Sequence, residues 1–237
     1  MMRWFRKLLL CIAVVMVAIE SAVASEAVIL LHGLIRSDRS MRRMASSLES
    51  EGYKVLNVDY ESREAAIEEL SETVIPEALS HADIADASNI HFVTHSLGGI
   101  LVRQYLREHK IENLGRVVML APPNQGSEVV DTLGDRAFFQ WMHGPSGNQL
   151  GTDTNSVPNT LGPVDFEVGI IAGNRTINWI NSFTMIEGSD DGKVSVERTK
   201  VDGMKDHITI RATHPYIMRN RNAIRQTIHF LRTGYFQ

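Results

Sequence analysis

The sequence predicts an α/β fold in which a mostly parallel sheet of about six strands carries helices on both faces. Three observations predict it. Short continuous apolar runs recur along the chain, among them Ala27-Val28-Ile29-Leu30-Leu31 and Arg116-Val117-Val118-Met119-Leu120-Ala121. Runs of this kind suit strands buried on both faces of a parallel sheet. Helical patterns alternate with them, which calls for crossover connections of one hand. The 237 residues show no internal repeat and suffice for one sizeable core.

Taken in order, Arg3, Arg6 and Lys7 precede an apolar run of 12 residues, Leu8 to Ile19, followed by Ala22-Val23-Ala24. A basic start, a short apolar stretch and an Ala-x-Ala site describe a secretory signal peptide over residues 1–24, cleaved after Ala24. The run is short for a membrane span of about 20 residues. The expected location is therefore periplasmic or secreted, with residues 25–237 forming one domain. Cleavage removes Cys11, the sole cysteine, so no disulfide holds the fold.

The strand at 27–31 ends in His32-Gly33-Leu34-Ile35. Ser40 opens a helix with apolar Met41, Met44, Ala45 and Leu48 that stops at Gly52. Residues 53–60 read as the next strand and 63–80 as a helix that Pro76 bends or divides. Then come Ile90 to Val93, a serine at 96, two glycines, and the helical run Ile100 to Leu106. From 124 to 166 the alternation dissolves into a Gly-, Asn-, Pro- and Thr-rich insertion around Phe138-Phe139-Gln140-Trp141-Met142. It resumes at 168–173 and 207–210, and an amphipathic helix carrying Ile224, Ile228 and Leu231 closes the chain.

Strand, sharp turn and helix with Ser96 at the apex match a nucleophile elbow, G-x-S-x-G, with Thr94 in place of the first glycine. A serine followed by two glycines also suits an ordinary helix start. A serine hydroxyl needs a base to remove its proton and an acid to orient that base. Two later strand ends supply candidates: Asp190 and Asp191 in the turn after residues 168–173, and His214 after residues 207–210. His207 competes with His214 but opens a strand, where a half-buried structural histidine is the ordinary outcome.

The pieces Thr94-His95-Ser96-Leu97-Gly98-Gly99, His32-Gly33-Leu34, Asp191-Gly192-x-Val194 and the late His214 together resemble compact bacterial lipases and esterases of the α/β-hydrolase superfamily. The resemblance covers Ala27 to the end and is weakest over 124–166. It implies a reduced α/β-hydrolase sheet and a Ser96, Asp191, His214 triad, in the family's chain order. It prefers Asp191 to Asp190, because Gly and then Val follow it. It also implies oxyanion donors from the backbone N–H groups of Leu34 and Leu97. Two departures stand out: Thr94, and a long stretch between the strand at 168–173 and Asp191.

By the same resemblance the insertion at 124–166 is a cap or lid. Phe138, Phe139, Trp141 and Met142 then either line an acyl pocket or form the private core of the insertion. The expected activity is hydrolysis of carboxylic esters of lipid type through an acyl-enzyme, with transient contact at a membrane surface. The rivals are an acyltransferase with the same triad and a non-catalytic lipid-binding protein on the same scaffold. A net charge of −4 with no basic block argues against nucleic acid as a partner. No cofactor or metal is expected: no histidine pair has zinc spacing on a predicted helix, and the acidic turn at 187–191 lacks a calcium-loop pattern.

Overall fold

The computed structural model describes residues 25–133, 137–176, 186 and 188–237, without the side chains of 133 and 137–141. Its centre is a six-stranded sheet in the order β2-β1-β3-β4-β5-β6, every pair parallel. The strands are β1 (Glu26–Leu31), β2 (Lys54–Val58), β3 (Asn89–His95), β4 (Leu114–Leu120), β5 (Val168–Gly173) and β6 (Asp206–Ile210). Between and after them run α1 (Arg42–Ser50), α2 (Ile67–Ser80), α3 (Ala82–Ala85), α4 (Leu97–Glu108), α5 (Glu128–Leu133), α6 (Ala137–Asn148), α7 (Val157–Thr160) and α8 (Arg221–Thr233). Short 3-10 turns lie at Asp38–Ser40, Glu197–Thr199 and His214–Arg219. The α/β-hydrolase architecture expected from the sequence is the one found.

Period-two alternation sorts the buried strand residues into two cores. Ile29, Leu31, Phe92, Met119 and Ile170 face α2 and α4. Val28, Leu30, Val93, Val118 and Ile171 face α1 and α8. Both faces are covered, so the central strands have no polar side to show, and this accounts for their continuous apolar runs.

Helix α2 differs from expectation at two points. It starts at Ile67 rather than residue 63, and its first N–H donates to Gln149 Oε1 at 2.7 Å. The cap thus comes from the insertion, where no local pattern announces it. Pro76 lies within the helix and does not divide it. Burial of Ile67, Leu70, Val74, Ile75 and Ala78 on one face outweighs the single backbone hydrogen bond that proline removes.

The insertion is tied to the core by a buried arginine. Arg103, on α4, donates from Nη1 to the carbonyl and Oδ1 of Asn124 and from Nη2 to the carbonyl of Gly162. Asn124 Nδ2 in turn donates to the carbonyl of Thr199. Among the described residues no carboxylate pairs with Arg103, and burial lowers its pKa to about 10.

Strand order reverses direction between β1 and β3, since β2 lies outside β1 and every later strand lies beyond β3. The loops leaving those two strands part there and open a crevice at the carboxyl edge of the sheet. Residues 32–36 and Ser96 are the first residues past that edge.

Candidate active site

Ser96 joins β3 to α4 as the helix N-cap, with φ 51° and ψ −120°. That conformation is costly for a residue with a side chain, of order 1–3 kcal/mol, and persists only where the surroundings enforce it. Here the N–H of Ser96 donates to Leu120 O at 2.9 Å, and the N–H of Gly99 donates to Ser96 O at 3.0 Å. The close approach also needs glycine at 98, where a Cβ would stand 2.7 Å from Leu31 O. Thr94 needs no such freedom. It is an ordinary buried strand residue, and among the described residues only Ile35, Ser96 and Ala121 combine a side chain with positive φ.

Asp191, His214 and Ser96 meet. His214 Nδ1–H donates to Asp191 Oδ2 at 2.8 Å, and Ser96 Oγ–H donates to His214 Nε2 at 3.0 Å. The other oxygen of Asp191 accepts from the backbone N–H of Lys193 at 3.0 Å and of Val194 at 2.9 Å. The His214 N–H donates to the Asp191 carbonyl, locking the two loops together. Asp190 turns the other way and accepts from the Gly192 N–H at 2.7 Å. His207 stands apart on β6, its Nε2 2.9 Å from Thr199 Oγ1.

Two neutral histidines brace this arrangement. His95 Nε2–H donates to the carbonyl of His214 at 3.0 Å, and the two rings lie 4.9 Å apart. Burial, and next the nearby His214 ring, hold the His95 pKa well below the ordinary histidine value. His32 is lowered by burial too. Its Nδ1 donates to Gly33 O, and its ring stacks on Tyr60, whose hydroxyl donates to His32 O at 2.6 Å. These contacts fix the loop that carries Leu34. Ser62 Oγ adds to them by accepting from the Ile35 N–H, and Gly33 passes so close to Ser96 that an added Cβ would lie 3.1 Å from the serine Cβ.

Leu34 and Leu97 occupy the loop after β1 and the first turn of α4. Within the described residues no carbonyl or side chain accepts from either backbone N–H. An unspent N–H at a helix start is a ready donor to developing negative charge.

A cavity of about 440 Å³ opens over Ser96 and His214. Its apolar wall comes from Leu34, Val129, Val130, Leu150 and Val194, and His143 also lines it. Of the expected pocket residues, Phe138, Phe139 and Trp141 have side chains outside the described residues. Met142 is half-buried, and its carbonyl accepts from Arg63 Nη1. The insertion therefore does reach the cavity, through Val129, Val130 and Leu150, which no sequence pattern singled out.

Among the described residues Arg36 and Lys193 are the cations on the cavity wall. Lys193 is open to solvent inside the concavity. The crowding around it lowers the pKa of its ammonium group, Asp191 opposes that shift, and Arg36 adds to it. Among the described residues no group of three or more His, Cys, Asp or Glu side chains is placed to hold a metal ion, and no helix is long and apolar enough to cross a membrane.

The fold has counterparts among solved structures. In structure the chain is similar to the mature lipase BlEst2 of Bacillus licheniformis, with 17% identity over 88% of this chain and 93% of that one and a TM-score of 0.70. It is also similar to phospholipase PlaB from Legionella pneumophila (21%, 74% and 46%, TM-score 0.60) and to a thermophilic esterase from Thermogutta terrifontis (13%, 89% and 90%, TM-score 0.60). At these identities the likeness speaks for the fold. No curated protein sequence matches the chain. The sequence model of the palmitoyl protein thioesterase family matches residues 27–158, from β1 through the elbow and most of the insertion, ending before Asp191 and His214. With more than half of the chain matched and the α/β-hydrolase fold around it, the protein belongs to the palmitoyl protein thioesterase family.

Proposed function

We propose that the protein cleaves carboxylic esters of lipid type through an acyl-enzyme on Ser96. The observation that carries this reading is the hydrogen-bonded chain from Asp191 through His214 to Ser96, at the floor of an apolar cavity. Neutral His214 accepts the Ser96 proton at Nε2 as Oγ attacks the ester carbonyl. Asp191 holds the ring in the tautomer with its proton on Nδ1 and stabilises the imidazolium that forms. The N–H groups of Leu34 and Leu97 receive the charge on the carbonyl oxygen. Collapse breaks the acyl–oxygen bond, and the leaving alcohol takes the proton from His214. Water then repeats the sequence, with His214 as base, and frees the acid.

The family match favours a second leaving group, a thiol, for the same machinery. A thioester places its carbonyl identically and needs less help from His214, since a thiolate leaves more readily than an alkoxide. The basic and apolar leader at 1–24, outside the described residues, supports a periplasmic or secreted setting, where a lipid surface is within reach.

The test is a fluorophosphonate probe with wild type and Ser96→Ala, alongside acetyl, octanoyl and palmitoyl esters and thioesters, with and without an alcohol acceptor. Wild type is labelled, Ser96→Ala is not, and hydrolysis falls by about 10⁴-fold, because triad members act as a unit. Labelling that survives the substitution refutes the nucleophile. Product formed only with the alcohol identifies an acyltransferase, and the absence of all turnover and labelling leaves a lipid-binding scaffold.

A further inference from the structure

The two cations of the cavity have no work in the reaction as drawn. Elsewhere on the surface Arg42, Arg116, Arg198, Lys200, Lys205 and Arg232 each pair with a carboxylate. Arg36 and Lys193 do not: among the described residues neither has a carboxylate within 4.0 Å. Among the described residues the one carboxylate lining the cavity is Asp191, already committed to His214 and two backbone N–H groups. Both line the same cavity, and Arg36 is near enough to weigh against the charge of Lys193. A concave wall carrying two cations, whose one described carboxylate is spent on His214, favours anions.

Their places in the chain say which part of a substrate they meet. Arg36 lies two residues beyond Leu34, and Lys193 two beyond Asp191. They extend from the loops holding the oxyanion donor and the acid, and Lys193 follows the residue that orients His214, the group that protonates the leaving alcohol. The apolar wall of Val129, Val130 and Leu150 belongs to the insertion and suits the acyl chain. Resting on the ester-hydrolase reading above, we propose that the preferred substrates are acyl esters whose leaving alcohol carries an anion, a phosphate or carboxylate, held between Arg36 and Lys193.

Two measurements decide it, one of them independent of turnover. The first compares kcat/KM for 1-octanoylglycerol 3-phosphate and 1-octanoylglycerol, both monomeric, at low salt. The second compares calorimetric binding of octyl phosphate and octanol. Wild type should favour the anionic member about tenfold in each. Arg36→Gln and Lys193→Gln should each reduce that ratio by about three- to fivefold, and together bring it close to one, as expected for partly solvated charge pairs. Arg36→Lys and Lys193→Arg should restore most of the preference, and about 0.5 M salt should erase it in wild type. Melting temperatures of all variants show whether a loss is only a folding defect.

Equal treatment of the two esters together with equal binding of octyl phosphate and octanol overturns the subsite, as does a preference that survives the double substitution. A preference seen only on phosphatidylglycerol over phosphatidylcholine vesicles also overturns it, in favour of a charged lipid surface acting outside the cavity. If neither ester is cleaved, the hydrolase reading fails, and octyl phosphate binding alone then decides the anion subsite.

Discussion

Replacing Asp191 by asparagine separates the two carboxylates of the turn. Asparagine can keep the Lys193 and Val194 N–H groups on its carbonyl oxygen, so the turn retains its hydrogen bonds. Its amide nitrogen then faces His214 Nδ1 across the 2.8 Å now spanned by a carboxylate oxygen. An NH2 group donates and cannot accept, so the imidazole must move its proton to Nε2. That nitrogen then points a donor at Ser96 Oγ and can no longer take the serine proton. A wrong tautomer in an otherwise intact triad costs about 10⁴-fold in kcat, equivalent to about 5.4 kcal/mol at 1.36 kcal/mol per decade. Asp190→Asn keeps an acceptor for the Gly192 N–H and does not touch His214, so its kcat should stay within about threefold of wild type. Steady-state hydrolysis of p-nitrophenyl octanoate, with circular dichroism to verify folding, measures both. Asp191→Asn retaining a tenth or more of the activity, or Asp190→Asn proving inactive, would refute the assignment.

Other substitutions probe the scaffold. Thr94→Val exchanges a buried hydroxyl that has no hydrogen-bond partner among the described residues for a methyl group, and should stabilise by about 1 kcal/mol in urea melts; a lowered midpoint would mean that the hydroxyl is bonded. Gly98→Ala drives a Cβ into the Leu31 carbonyl and should destabilise by about 1–3 kcal/mol while reducing kcat, so a variant with wild-type stability and rate would show that α4 and β1 can part freely. Burial holds the imidazoles of His32, His91 and His95 below the ordinary histidine pKa, so the unfolded chain binds their protons first. Stability should therefore be full above about pH 6.5 and fall below it by up to about 1.4 kcal/mol per pH unit for each residue. An unchanged urea midpoint from pH 7.5 to 5 would contradict it.

What was legible in the sequence is what local chemistry decides. Four of the six strands announce themselves as apolar runs because both faces of each are covered, while the edge strands β2 and β6 are partly exposed and carry polar residues, and Ser96 and His214 sit at strand ends with their own turn residues. The choice between Asp190 and Asp191 lies beyond local pattern, since both occupy one turn and only the direction of each carboxylate distinguishes them. The start of α2 was misread because its cap, Gln149, is more than eighty residues away. The residues of the insertion that line the cavity could not be picked out in the sequence for a related reason. Val129, Val130 and Leu150 are unremarkable in sequence, and only the folding of the insertion over Ser96 gives them a role. His95 precedes the elbow serine in sequence, but its hold on the His214 carbonyl depends on contacts 119 residues apart.

The clamp formed by Arg103 bears on how this protein can diversify. One guanidinium gathers the carbonyls at Asn124 and Gly162, the two feet of the insertion, on the helix that begins next to Ser96. With the feet fixed, whatever lies between them is a closed excursion, and lengthening it costs little: about 0.6 kcal/mol for each doubling of a flexible loop. Segments of different length and composition can then be exchanged between those two points while the elbow keeps its geometry. Descendants of such a chain can reshape the cavity wall by trading one stretch of sequence, with the elbow inherited unaltered.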